Sequence, residues 1–141
     1  MKIKDVMTRN FERAAPSEPV QSIARRMSRG DFGFIPVCDG DTVIGTVTDR
    51  DLAVRVVAAG LPASTPVTEV MTHGATIVHE DDELEDVLAK MGDEQLRRFP
   101  VVDDLNEIVG VVSLGDLAAR DEDRSGHTLS EISRPTPEIL G

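Results

Sequence analysis

The stretch GTVTDRDL, residues 45–52, returns as GVVSLGDL at residues 110–117. Both copies run glycine, two small or apolar residues, a hydroxyl, two variable positions, aspartate and leucine. Working outward, VMT at 6–8 recurs at 70–72, and IPV at 35–37 recurs as FPV at 99–101, each 64 residues on. Between these markers Val20, Ile23, Ala24 and Met27 match Leu84, Val87, Leu88 and Met91. Gly45 and Gly110 stand 65 apart because the turn DDLNE (103–107) is one residue longer than DGDT (39–42). Self-similarity of this extent means one supersecondary unit written twice. The repeats are read as residues 1–62 and 63–120, followed by a polar tail, 121–141.

Each copy predicts the same elements. The apolar spacing i, i+3, i+4, i+7 marks a one-faced helix. In the first copy Ser17 is the expected N-cap, with Pro19 in the first turn. In the second, Asp81 takes the cap, and the acidic run EDDELED (80–86) suits the positive end of a helix dipole. Two strands around a turn follow: FIPVCD and TVIGTVT, then RFPVVD and EIVGVVS. Asp39-Gly40 and DDLNE are the hairpin signals. A second helix starts at the hydroxyl, TDRDLAVRVVAAG closed by Gly60, and SLGDLAAR. The fold class is therefore α/β (α+β), a β-α-β-β-α unit repeated. One copy alone leaves a sheet face uncovered, so the two are expected to pack as one module.

Composition limits the function. The chain has 141 residues and a net charge of −11, from 26 acidic and 15 basic side chains. No basic run offsets that charge, and aromatics are 3% with no Trp or Tyr, so both phosphate-backbone attraction and base-stacking platforms are missing. Nucleic acid is not an expected partner. One cysteine, Cys38, allows no internal disulfide and fits a reducing compartment. No apolar h-region follows the N-terminal lysines, and no apolar run reaches a membrane span. A cytoplasmic location is expected. Carboxylates are plentiful, but none is paired by spacing for acid–base chemistry, so no enzyme is expected.

The octapeptide has two readings. A hydroxyl followed three residues later by Asp, at a strand-to-helix junction, is a near capping box. The same geometry suits a nucleotide: helix amides toward phosphate, the hydroxyl as a further donor, the carboxylate accepting from ribose. Thr48 with Asp51, and Ser113 with Asp116, are the residues concerned.

VMT, the xPVxD strand and GxxTxxDL (GxxSxxDL in the second copy), present twice over residues 1 to about 120, resemble a pair of CBS domains, a Bateman module. The resemblance implies an α/β sandwich of two pseudo-symmetric repeats with clefts between them. It also implies adenosyl ligands (AMP, ADP, ATP, NAD or S-adenosylmethionine), a flat homodimer, and regulation rather than catalysis. Carried across, Asp51 and Asp116 would hold ribose, and Thr48 and Ser113 would meet phosphate or ribose. Arg98 would reach phosphate. Its counterpart Phe34 cannot, so the clefts should differ; Gly115 is a second departure. Adenine walls would come from Ile35, Pro36 and Val37, and from Phe99, Pro100 and Val101. Asn10, Phe11, Ala75, Thr76 and Ile77 would offer backbone groups. Arg9, Arg50 and Arg97 are further candidate cations in an acidic field.

Other signals are weaker. His73 and His79 invite a metal reading, but their spacing on a loop and strand does not by itself converge on one ion, and Cys38 and His127 are distant in sequence. Cys38 falls on a predicted buried strand, which disfavours a nucleophile. Met7 and Met71 share a repeat position and read as core. The leading function is a stand-alone sensor binding an adenosyl nucleotide and read by an unknown protein partner. The alternative is a ligand-free dimer serving as a constitutive interaction module.

Overall fold

The computed structural model describes residues 1–30 and 32–119. Strands β1 (Phe34–Asp39) and β2 (Thr42–Thr48) form the expected hairpin, with a bulge between Val37 and Cys38. Gly40 turns it at φ +65°, where a side chain would be strained. The short strand β3 (Thr72–His73) adds to β2, giving the order β1-β2-β3. On the other side Ala14 runs parallel to β1: its N–H donates to Pro36, and it accepts from Cys38 N–H, at 2.9 Å each. The second sheet is β4 (Val78–His79), β5 (Arg98–Val102) and β6 (Ile108–Ser113), with β4 parallel to β5.

Two compact units result. Among the described residues, one gathers 11–76 with 106–108; the other gathers 1–10, 77–105 and 109–119. These units cut the chain differently from the repeats. Each VMT segment sits with the octapeptide of the opposite copy. Thr8 bridges Val111 on β6, and the β3 residues after Met71 pair with Gly45 and Thr46 on β2. The octapeptide glycines explain this. A Cβ on Gly45 would lie 2.6 Å from Met71 Sδ and 2.7 Å from the Thr72 carbonyl oxygen. A Cβ on Gly110 would lie 2.7 Å from Met7 Sδ and 2.9 Å from the Thr8 carbonyl oxygen. Met7 and Met71 are core residues, each in the unit of the other copy's strands.

Helix α1 (Val20–Gly30) buries Val20, Ile23 and Met27, while Ala24 is exposed. It starts later than the sequence suggests: Pro19, whose carbonyl accepts from Ile23 N–H at 3.3 Å, precedes the first helical residue, and Ser17 lies outside. Helix α3 (Leu84–Glu94) buries Leu84, Val87, Leu88 and Met91. Its N-cap is Glu83, not Asp81. The acidic run instead forms a turn in which Asp82 accepts from His79 N–H at 2.9 Å, while Asp81 pairs with Lys4 at 3.1 Å. The helix after β2 begins as α2 (Asp49–Asp51) and then widens to π geometry over Leu52–Val57, with Ala58 N–H bonding the Ala53 carbonyl at 2.9 Å. Stiff valines at 54, 56 and 57 fit a regular α-helix less well than the pattern suggests. Gly60, at φ +71°, lies in the turn beyond it. Helix α4 is Leu114–Ala118. The expected tail, 121–141, lies outside the described residues, as does His127. No helix among the described residues is long and apolar enough to cross a membrane.

Candidate functional site

Each octapeptide builds a strand-to-helix corner within one unit. In the first, Thr48 ends β2 opposite Phe34. The Thr48 N–H donates to Asp51 Oδ2 at 2.8 Å, and Asp51 N–H donates to Thr48 Oγ1 at 3.1 Å. In the second, Ser113 N–H donates to Asp116 Oδ2 at 3.0 Å, and Asp116 N–H donates to Ser113 Oγ at 3.1 Å. Both are reciprocal capping boxes. The box alone is sufficient reason for a hydroxyl three residues before a carboxylate. It also leaves chemistry available. Each hydroxyl accepts an amide and keeps its own proton to donate, and each carboxylate has a second oxygen. All four side chains are only partly covered.

Two of the basic candidates, Arg97 and Arg98, lie where β5 begins beside the second corner. The Leu114 N–H donates to the Arg97 carbonyl at 2.7 Å, tying the start of α4 to the start of β5. Arg98, Ser113 and Asp116 therefore stand at one corner, with Arg98 exposed. Ile77, half-buried, immediately precedes β4 in the same unit. The equivalent bond at the first corner runs from Asp49 N–H to the Gly33 carbonyl at 3.0 Å. Phe34 is half-buried there, and Arg50 is exposed with its N–H on Asp49 Oδ1 at 2.9 Å.

The expected adenine walls are largely spent on packing. Ile35 and Val37 are fully buried in the first unit's core, Phe99 and Val101 in the second's. What these four bring to a corner is backbone and shape. Pro36 and Pro100 alternate with them along the strands and are also buried. Arg9 donates to the Lys4 carbonyl at 3.4 Å. Phe11 lies under the Arg13 guanidinium, 5.6 Å from its carbon to the ring centroid. Asn10 is exposed, and Ala75 and Thr76 are half-buried.

One residue escaped the sequence reading. Arg55 stands one turn after Asp51, its Nε 3.8 Å from Asp51 Oδ1, and donates to the Val70 and Met71 carbonyls at 3.1 Å each. The signal was present: the octapeptides continue as DLAVR and DLAAR.

His73 has Nε2 3.2 Å from the Thr68 carbonyl oxygen, and His79 belongs to the other unit. No group of three or more metal-ligating side chains comes together among the described residues. Burial pushes the Cys38 thiol up from its ordinary range, so it is neutral.

The CBS domain family matches residues 3–58 and again residues 67–123. The chain belongs to the CBS domain family. Among similar proteins, Uncharacterized protein YlbB of Bacillus subtilis is 40% identical over 136 residues, covering 94% of this chain and 91% of its own. The solved structure of Hypoxic Response Protein I, with two coordinated zinc ions, superposes with a TM-score of 0.78 at 28% identity, covering 86% of this chain and 99% of that one. CBSX2 in complex with AMP shares the fold, with a TM-score of 0.75 at 24% identity over 84% of this CBS pair and 93% of its own chain.

Proposed function

We propose that this CBS protein is a cytoplasmic regulatory module that binds an adenosyl nucleotide at the corner of Arg98, Ser113 and Asp116. The carrying observation is that corner: a hydroxyl and a carboxylate fixed in a capping box, tied through the Leu114–Arg97 backbone bond to the start of β5, where Arg98 is exposed. Asp116 accepts from ribose, Ser113 donates, and Arg98 meets phosphate with a charge-assisted hydrogen bond. Ile77, Phe99, Pro100 and Val101 shape the base's surroundings. Thr48, Asp51 and Arg50, with Ile35, Pro36 and Val37, form the counterpart. The sequence repeats, 1–62 and 63–120, supply one octapeptide to each corner. CBSX2, a protein of this fold, has been solved with AMP, and that supports the ligand class. The module works by binding, not turnover: ligand shifts a conformational equilibrium that a protein partner reads.

A second reading has its own observation. Val54, Val57 and Leu61 are exposed apolar side chains near one another in sequence, Val57 at 77%. They favour self-association, so the module is proposed to be a homodimer. A ligand-free dimer would then act as a constitutive interaction surface.

Thermal unfolding against AMP, ADP, ATP, NAD and S-adenosylmethionine separates the readings. A ligand at about 100 times its dissociation constant stabilises by about 2.7 kcal/mol, several degrees for a chain of this size. The shift is expected for one adenosyl ligand and lost in Asp116→Ala. No shift with any of them at millimolar concentration overturns the sensor reading in favour of the ligand-free dimer.

A further inference from the structure

The two corners share a capping box and differ in the residues that flank it. The amide-to-carbonyl bonds at 3.0 and 2.7 Å align Gly33 with Arg97 and Asp49 with Leu114. Phe34 then aligns with Arg98, and Arg50 with Gly115. At the second corner Arg98, exposed, opens β5 where the first has Phe34, and Leu114 stands where the first has Asp49. The first carries two carboxylates, Asp49 and Asp51, with Arg50 next to Asp49 and Arg55 3.8 Å from Asp51 Oδ1.

The extra carboxylate is held in place. A Cβ on Gly33 would lie 2.6 Å from Asp49 Oδ2 and 2.9 Å from its Cγ. The Asp49 carboxylate thus fills the space that a side chain at residue 33 would enter, the position where the other copy has arginine. Its other oxygen accepts from Arg50 N–H at 2.9 Å. An amide that an anion would need is already used by an anion. Leu114 and Gly115, the equivalent residues, bring no side-chain acceptor.

Resting on the adenosyl-binding reading above, we infer that the corners take different ligand classes. The Arg98 corner takes an adenosine bearing a 5′-phosphate. The Asp49 corner excludes phosphate and takes an adenosine whose 5′ substituent is neutral or positively charged. Asp51 and Thr48 still recognise the sugar there, as Asp116 and Ser113 do opposite a phosphate. Asp49 and Arg98 are the specificity-determining residues.

The test is a backbone amide NMR titration of the full chain with adenosine and, separately, with 5′-AMP. Amides of residues 48–51 report one corner and those of 113–116 the other. The expected result is that AMP moves 113–116 at lower concentration than adenosine does, while adenosine moves 48–51 at lower concentration than AMP does. Removing one charge near the ligand changes affinity roughly fivefold or more. Asp49→Asn is therefore expected to raise the AMP-to-adenosine affinity ratio at 48–51 by about that factor, and Arg98→Gln to lower it at 113–116. Asp49→Asn keeps the shape of the native residue, Arg98→Gln shortens an exposed side chain, and a thermal melt checks each fold. Equal preference at the two corners, or an unchanged ratio in Asp49→Asn, overturns the inference while leaving nucleotide binding standing. No response to either compound at either corner overturns both.

Discussion

Gly45 and Gly110 are glycine for a reason outside their own strands. Each is crossed by a methionine and a carbonyl from the other end of the repeat pattern, closer than a Cβ tolerates. Gly110→Ala is expected to cost about 1–3 kcal/mol as an overpacked core substitution, seen as a lowered urea midpoint. Adding Met7→Ala will not restore it, because the Thr8 carbonyl oxygen at 2.9 Å from that Cβ is backbone and cannot move aside. Recovery in the double variant would put the obstruction in the methionine alone. The octapeptide was legible in the sequence, and so was its capping box, since both are local. The partner of its glycine was not: a residue without a side chain carries no pattern that names what lies against it.

Among the elements, α1 and the segment before it depend on a charged cluster. Arg26 pairs with Glu18 at 2.7 Å and Glu12 at 3.0 Å, and donates to the Arg13 carbonyl at 2.6 Å. Ser22 adds a hydrogen bond to Glu18 at 2.7 Å. Burial opposes ionising Glu18, but bonds from Ser22 and Arg26 outweigh it and hold the carboxyl below its usual range. A folded pKa below the unfolded one means the unfolded chain binds the proton more readily. This stabilisation is present above the unfolded value, about 4.3, and fades as pH falls through the lower folded value. Glu18→Gln is expected to lower stability at pH 7 by about 1–3 kcal/mol and to shrink the difference from wild type on acidification into that range. Denaturant melts from pH 7 to 3 measure this; a constant difference would sink the assignment. Periodicity found α1 and α3, because a buried stripe repeats along a helix. It misplaced their starts, where Pro19 and Glu83 precede the first turn, since polar residues near a helix start look alike in sequence. Their partners decide which one caps. The π turns at Leu52–Val57 were likewise invisible to a pattern that assumes one helical pitch.

At the scale of the whole chain, the compact units exchange segments relative to the sequence repeats. Val67, Val70 and Met71 belong to the core built on the first octapeptide, and Ile3 and Met7 to the core built on the second. A fragment of residues 1–62 lacks the first set, each worth about 1.5–3 kcal/mol if fully buried. Residues 11–76 retain it. The longer-reaching fragment is expected to melt cooperatively by circular dichroism, and 1–62 is expected not to. Equal melts would show the exchanged segment to be dispensable. The sequence by itself determined that one unit is written twice, that each copy is mixed α/β, and where the two corners lie. Periodicity and repetition are properties of neighbouring residues. Only the tertiary structure decided which VMT segment completes which sheet, and that Asp49 occupies the space beside Gly33. The two VMT segments are identical, so nothing in them distinguishes a segment packed on its own repeat from one packed on the other. Steric fit across the fold makes that choice.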